Sequence, residues 1–479
     1  MQTPGDIAAN HIIITHFTGM QDTENLRELS TMPVGRLLWK YSLPAVTGMV
    51  VMQLYNIVDR IFIGQVIGPE AIAGLAITFP VMNIATALGV LVGAGASARV
   101  SIHLGRRDYD AAARVLGNSL VLTLVIGALY IGAFALGMDT VLRWFGANDV
   151  TLPYARDFMM YILPGLMLTN LTFSFNNIMR ASGYPIRAMV TMFIGAGVNI
   201  LLAPIFIYVF RWGIKGAAIA TDIAMAIGMV FVMYHFFRPG NGPVTFRRGI
   251  YRLSGKVVWG IIGIGAAPSI VNVATCLINI VINRSLLQYG GVEAIAASGI
   301  FVTFSAVMVS IILGICQGMQ PIAGYNFGHN RPDRVLGVYK IAVVASTAVS
   351  FAGWAAAQLC PHLIARAFVT DAALIEYTSH ALRTGMMVFA VVGFQIVSTT
   401  YFQSIGQIGL SIFLSLTRQV IFFIPLLLLW LPGRMGLDGV WSTYYISDVF
   451  ATITTALIMA YALPRLRRME PDASASETV

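Results

Sequence analysis

The chain has 479 residues, of which 57% are hydrophobic and 11% charged, with a net charge of +9 and three cysteines. A charged fraction below half the ~25% of soluble domains, with apolar runs of about 20 residues along its length, excludes an ordinary soluble enzyme. Cysteines without a CxxC spacing exclude a disulfide framework or zinc cluster, and no HExxH, GxSxG or GxxxxGK[ST] motif marks a hydrolase or an ATP-driven pump.

In chain order, residues 1–35 read as a cytoplasmic tail, irregular over 1–30, with Met20 as an alternative start and no cleavable signal peptide. Six apolar spans follow at 36–62, 71–95, 112–136, 155–178, 185–209 and 214–237. Residues 238–256, which open Arg-Pro-Gly-Asn-Gly-Pro, read as a cytoplasmic linker. Six more spans come at 257–283, 294–317, 335–358, 378–403, 407–430 and 437–462, before a tail at 463–479. The expectation is an all-α integral membrane protein of twelve transmembrane helices, with an N-lobe at 36–237 and a C-lobe at 257–462.

The halves repeat at an offset of 223 to 225 residues. Pro44 realigns with Pro268, Asp59-Arg60 with Asn283-Arg284, and Gly105 with Gly328. An even number of spans per half brings both halves in from the same side, so the six-helix lobes are parallel repeats. Two similar lobes that rock against each other are the plan of an alternating-access transporter.

Twenty of the 30 Lys and Arg fall in the N-terminal flank, the even-to-odd loops (Arg180 and Arg187 among them) and the C-terminal tail. Only 8 fall in the opposite loops. The positive-inside rule makes both termini cytoplasmic, and this distribution argues against nucleic acid as a partner.

Polar residues inside the spans carry the chemistry, because a charge in hydrocarbon costs at least ~2.5–3.5 kcal/mol unless paired, neutralised or wet. Asp59 has Asn56 and Gln53 within one helical arc. It reads either as a binder of H⁺ or Na⁺, with the amide oxygens of Asn56 and Gln53 as further ligands and Asn56 counted with the coupling residues, or as an interfacial carboxylate paired with Arg60. Asn199 precedes Pro204 in helix 5, and Thr221 and Asp222 lie in helix 6; Asp222 lines a cavity or anchors a neighbouring helix. Asn272, Cys276, Asn279 and Asn283 share one face of helix 7, and Gln395, Thr399 and Gln403 one stripe of helix 10. Such stripes contact substrate (Gln53, Asn272, Asn279, Asn283 and Gln395 being the cavity candidates) or hydrogen-bond between helices. Arg418 and Asp448 each lie roughly 16 Å into their helices, which reads as a buried ion pair, with a coupling role for Asp448 as the alternative.

Several segments resemble the MATE (multidrug and toxic compound extrusion) family, within it the MepA-like branch. They include Trp39 to Pro44, Asn56-Ile57-Val58-Asp59-Arg60, Met179 to Pro185, Gln317 to Gly328, Leu416-Thr417-Arg418-Gln419 and Gly436 to Trp441. The resemblance implies cation-coupled export of organic cations and amphipathic drugs, with coupling at Asp59, Asn199 and Thr221. Family members often carry a second carboxylate in helix 5 where this chain has Ala203. Asp222 is the expected replacement. No cofactor is expected, and no metal beyond Na⁺ at Asp59. A monomer in the bilayer of a bacterial cytoplasmic (inner) membrane is expected, exchanging drugs for H⁺ or Na⁺. A flippase or exporter of lipid-linked or metabolite cargo on the same two-lobe plan is the alternative.

Overall fold

Inside hydrocarbon each backbone amide must find its partner within its own segment, and the described residues are helical, without a strand. The structure is a computed structural model describing residues 24–67 and 69–467, with side chains described except at 56–73, 292 and from 465 onward. In the N-terminal half the helices are α1 (Val34–Ile67), α2 (Pro69–Gly105), α3 (Tyr109–Trp144), α4 (Leu152–Ala181), α5 (Pro185–Val209) and α6 (Gly213–Phe237). The second half has α7 (Gly255–Gly291), α8 (Glu293–Gly328), α9 (Pro332–Leu359), α10 (Ala372–Gly385 with Phe389–Ser404), α11 (Ile408–Met435) and α12 (Leu437–Arg467). Among the described residues, ten helices are long and apolar enough to cross a membrane, and the bent pair α10 makes eleven. The 34 residues of α1 complete the twelve.

Most helices outrun the expected spans. The residues of α3 before the kink at Gly137, 109–136, cover about 42 Å against a ~30 Å hydrocarbon core. Helix α10, expected as one span over 378–403, is broken by 51° between Gly385 and Phe389. Its freed carbonyls are answered from α9: Trp354 Nε1 donates to Met387 O (2.8 Å) and Gln358 Nε2 to Arg383 O (2.8 Å). Helix α11 widens into π turns at Thr417–Phe423 and Leu426–Trp430, on either side of Pro425, which has no N–H to give. Between α7 and α8 the chain reverses at Gly291, whose φ of 69° and ψ of −158° a side chain would oppose.

The loops joining even- to odd-numbered helices gather at one end of the molecule, hereafter the basic end. The chain entering α1 is helical there over 24–31, against the irregular stretch expected over 1–30; residues 1–23 lie outside the described residues. Residues 24–31 are helical, because Leu26 and Leu29, three apart, bury one face. Asn326 and Arg334 of the second half donate to Leu29 O, and Arg334 also to Met32 O. The stretch 238–256 is likewise docked. Phe246 N donates to Phe236 O (2.9 Å), and Asn118 of α3 holds the carbonyls of Ile250 and Arg252.

Packing separates the two ends. In the basic half a single buried core runs across both halves of the chain, from Leu38, Val92 and Phe175 to Ile315, Met319 and Tyr401. Toward the other end the core divides. One part, around Phe134, Leu142 and Leu163, belongs to the first half; the other, around Ile282, Phe301 and Trp441, to the second. The two six-helix lobes are thus joined at the basic end, along a seam where α2 meets α7 and α8, and α1 meets α8. In the opposite half each lobe keeps a core of its own.

Candidate functional site

Helices α5 and α6 pack closely because small residues face each other: Ala203 of α5 lies in one buried cluster with Ala217 and Ala220 of α6. Next to this cluster Asn199, only 1% exposed, donates from Nδ2 to Thr221 Oγ1 (2.9 Å), and Thr221 donates to Ala217 O. The sequence-predicted pair is therefore brought together.

Asp222 is not part of that pair. Consecutive helical residues point about 100° apart, so Thr221 meets α5 while Asp222 turns to α4. There its carboxylate fills the space beside Gly165, where any side chain would overlap Oδ1. This oxygen is buried without a well-formed hydrogen bond. The structure does not bring Asp222 to Ala203, which sits among alanines about 200° around α6, counted from Ala220. The side chains of Asp59 and Asn56 lie outside the described residues, although α1 continues through them. Gln53 is half-buried on α1.

One turn from Asp222 toward the basic end lies a cavity of about 80 Å³ between α1, α4, α5, α6 and α8. Met52, Phe173, Met192 and Met225 give it apolar walls; Thr169 and Thr172 add hydroxyls. Its basic end is closed by Arg180, 4% exposed. Arg180 Nη2 donates to Asn176 Oδ1 (2.9 Å), and Nη1 donates to Gln317 Oε1 across the seam from α8. Gln317 Nε2 in turn reaches Met49 Sδ at 3.6 Å. Sequence reasoning counted Arg180 among the loop charges and missed this position. Its sign was the polar run Asn176-Asn177 four residues earlier, on the same helical face.

Two members of the polar stripes of the second lobe, Asn272 and Thr399, bond back to their own helices. Asn272 Nδ2 returns to Pro268 O on its own helix (2.9 Å), and Thr275 pairs with Gln419 Nε2 (3.2 Å), tying α7 to α11. Asn279 is half-buried and Asn283 exposed. Gln395, 2% exposed, lies in the lobe interior with Oε1 unpartnered. Arg418 Nε meets Asp448 Oδ1 at 2.7 Å, within the first π turn of α11. Among the described residues no group of His, Cys, Asp or Glu could hold a metal ion.

The chain is similar to proteins that share this plan. It is 27% identical over 92% of its length, and 97% of the relative's, to a multidrug export protein, MepA, of Staphylococcus aureus. A solved structure described as the outward-facing conformation of a multidrug resistance MATE family transporter of the MOP superfamily superposes with a TM-score of 0.85. Identity there is 25%, over 92% of this chain and 98% of that one. A MOP superfamily transporter from Pyrococcus furiosus, described by a binding pocket of reverse polarity, superposes at 0.86 with 25% identity, over 92% and 98% of the two chains. The MatE family model matches twice, at residues 44–205 and 268–429, once in each half of the repeat, and the chain belongs to the MatE family.

Proposed function

We propose that the protein is a cation-coupled antiporter that exports organic cations and amphipathic drugs by alternating access. The observation that carries this reading is the division of the core: one core shared by both lobes at the basic end, and separate cores for each lobe at the other. A lobed molecule sealed at one end only has a second, equivalent way to close, and exchange between the two carries cargo across. The drug-export names of the staphylococcal relatives support the cargo class.

In this reading the lobes are residues 36–237 and 257–462, the basic end faces the cytoplasm, and the membrane is a bacterial cytoplasmic membrane. A monomer suffices, since each chain holds both lobes. Asp59, Asn56, Asp222, Asn199 and Thr221 form the coupling region of the N-lobe. A carboxylate that attracts the cationic drug when ionised, and releases it when H⁺ or Na⁺ arrives, gives the two ligands opposite preferences, which coupling requires. Exchange of one H⁺ for one monovalent drug moves no net charge. A second titrating carboxylate makes the cycle electrogenic, gaining about 2.3 kcal/mol per charge per 100 mV.

The test is ethidium efflux from energised cells, with the pH and Na⁺ gradients varied separately. Ion-dependent efflux, abolished in Asp59→Asn at equal expression, is expected. Absence of efflux under every gradient overturns the reading.

A further inference from the structure

Arg99 of α2 carries a guanidinium without an anion. Its Nε is buried with no hydrogen-bond partner, and among the described residues no carboxylate pairs with it. The guanidinium lies across Gly260 of α7, where any side chain would overlap Nη1. It therefore occupies the crevice between α2 and α7, one helix from each lobe, about 9 Å from the end of α2 at Gly105. His103 follows one turn nearer that end, its Nδ1 likewise buried without a hydrogen bond. Arg106 and Arg114 bear on His103 electrostatically. The carboxylate that opposes them, Asp108, stands 4.0 Å away and gives its Oδ1 to the amide of Ala111 as the cap of α3. On α7, Lys256 is exposed one turn before Gly260 on the same face, and Trp259 is 75% exposed.

The repeat displays the same position closed by protein. The counterparts of Arg99 and His103 in the second half, at the 223-residue offset, are Ile322 and Asn326, both fully buried. Ile322 belongs to the apolar core, and Asn326 donates to Leu29 O in the helix at 24–31. In the first half the position is basic and partly open instead. An uncompensated arginine at this depth calls for an anion from outside the chain, and a lipid leaflet supplies one. A guanidinium fork takes two phosphate oxygens side by side, a lysine adds a point charge, and an exposed indole suits the headgroup level. We propose that the crevice between α2 and α7 at the basic end binds the phosphate of an anionic membrane lipid, held by Arg99 and His103 of one lobe and Lys256 of the other. Arg106 and Arg114 draw the headgroup in. The bound lipid bridges the lobes and favours the state in which this end is joined. The site requires only that the chain spans a bilayer, and it holds whatever the cargo.

The test uses the full-length protein in detergent, with bound lipid counted by native mass spectrometry. The probes are phosphatidylglycerol and phosphatidylcholine with identical chains, and inorganic phosphate as competitor. The wild type should hold phosphatidylglycerol about tenfold more tightly than phosphatidylcholine, and millimolar inorganic phosphate should not displace it. Arg99→Gln should remove that preference and leave phosphatidylcholine within about twofold of wild type. Arg99→Lys, which keeps the charge without the fork, should fall between. Lys256→Gln, at an exposed position, should weaken phosphatidylglycerol severalfold, and it decides the matter alone if Arg99→Gln does not fold. Arg238→Gln, at the exposed end of α6, which packs on α4 and α5, should change nothing. Displacement by inorganic phosphate would make this a site for soluble phosphate and overturns the lipid assignment. Equal binding of the two lipids by the wild type overturns it too, as does an equal loss in Arg238→Gln. So does a preference left unchanged in Arg99→Gln or in Lys256→Gln.

Discussion

Gly105 and Gly328 meet the opposite lobe in the same way, one from each half of the repeat. A methyl group on Gly105 would overlap the carbonyl oxygen of Tyr325, and one on Gly328 that of Ile102. Tyr325 and Ile102 are themselves related by the 223-residue offset, so the two contacts are images of each other about the axis between the lobes. His329 Nδ1 adds a 3.2 Å contact to Gly105 O at the same place. Both obstructing atoms are backbone, which cannot turn aside.

Either glycine changed to alanine should therefore wedge the basic end. The clash exists only while the lobes are joined there, so the substitution raises that state by about 1–3 kcal/mol and shifts the balance away from it. Spin labels across the basic end should report longer distances in Gly105→Ala and Gly328→Ala, by similar amounts. A change in one variant but not the other would contradict the symmetry.

The pairing of Asp222 with Gly165 predicts a dependence between two positions that the sequence keeps 57 residues apart. Gly165→Ala should displace the carboxylate and reduce ion-coupled efflux severalfold, because an added methyl competes for the same space. In an Asp222→Ala background the same change should cost little. Efflux rates for both singles and the double form the cycle that checks this, and additive losses would show that the two sites act independently.

How much of this was legible follows from what hydropathy can record. The spans and the repeat were readable because a bilayer demands about 20 apolar residues per crossing, whatever the helix then packs against. The break in α10 was not, since Met386 to Val391 is as apolar as the helix it interrupts and its satisfied carbonyls depend on Trp354 and Gln358 of another helix. Arg180 was misread because an arginine near the end of a span looks the same whether it leaves for water or turns back under the next lobe. Thr221 and Asp222 illustrate the finer limit. The sequence placed both in α6, but which neighbour each faces is set by the packing of α4 and α5, a non-local property. The docked helix at 24–31 went unseen because two leucines in a polar stretch make a weak signal.

Asn118 ties the inter-lobe segment to α3, taking the carbonyls of Ile250 and Arg252 through Nδ2 and receiving the amide of Ser254 on Oδ1 (2.9 Å). Asn118→Ala removes all three and leaves backbone groups to find water, at a cost of about 1–3 kcal/mol to this docking. Limited proteolysis should then cut within 238–256 faster than in the wild type while the helices stay protected. Protection unchanged would mean that the aromatic packing of Phe246 holds the segment by itself.

The ion pair of Arg418 and Asp448 makes the last prediction. Asp448 is 5% exposed and bonded to Arg418 at 2.7 Å, so each charge is tolerated only because of the other. Removal of one partner strands a charge in a medium that solvates it poorly, which costs about 3–5 kcal/mol, whereas replacing both with apolar groups of similar size is often neutral. Arg418→Met and Asp448→Leu should each lower the melting temperature of the detergent-solubilised protein clearly, and the double variant should recover most of the loss. Arg418 retains some access to solvent, so the stranding is worse when the arginine is removed than when the aspartate is. If the double variant is stable yet inactive while the wild type transports, Asp448 takes part in coupling as well as in holding α11 to α12. If it is stable and active, the pair is an anchor between the two helices and the transported charge passes elsewhere.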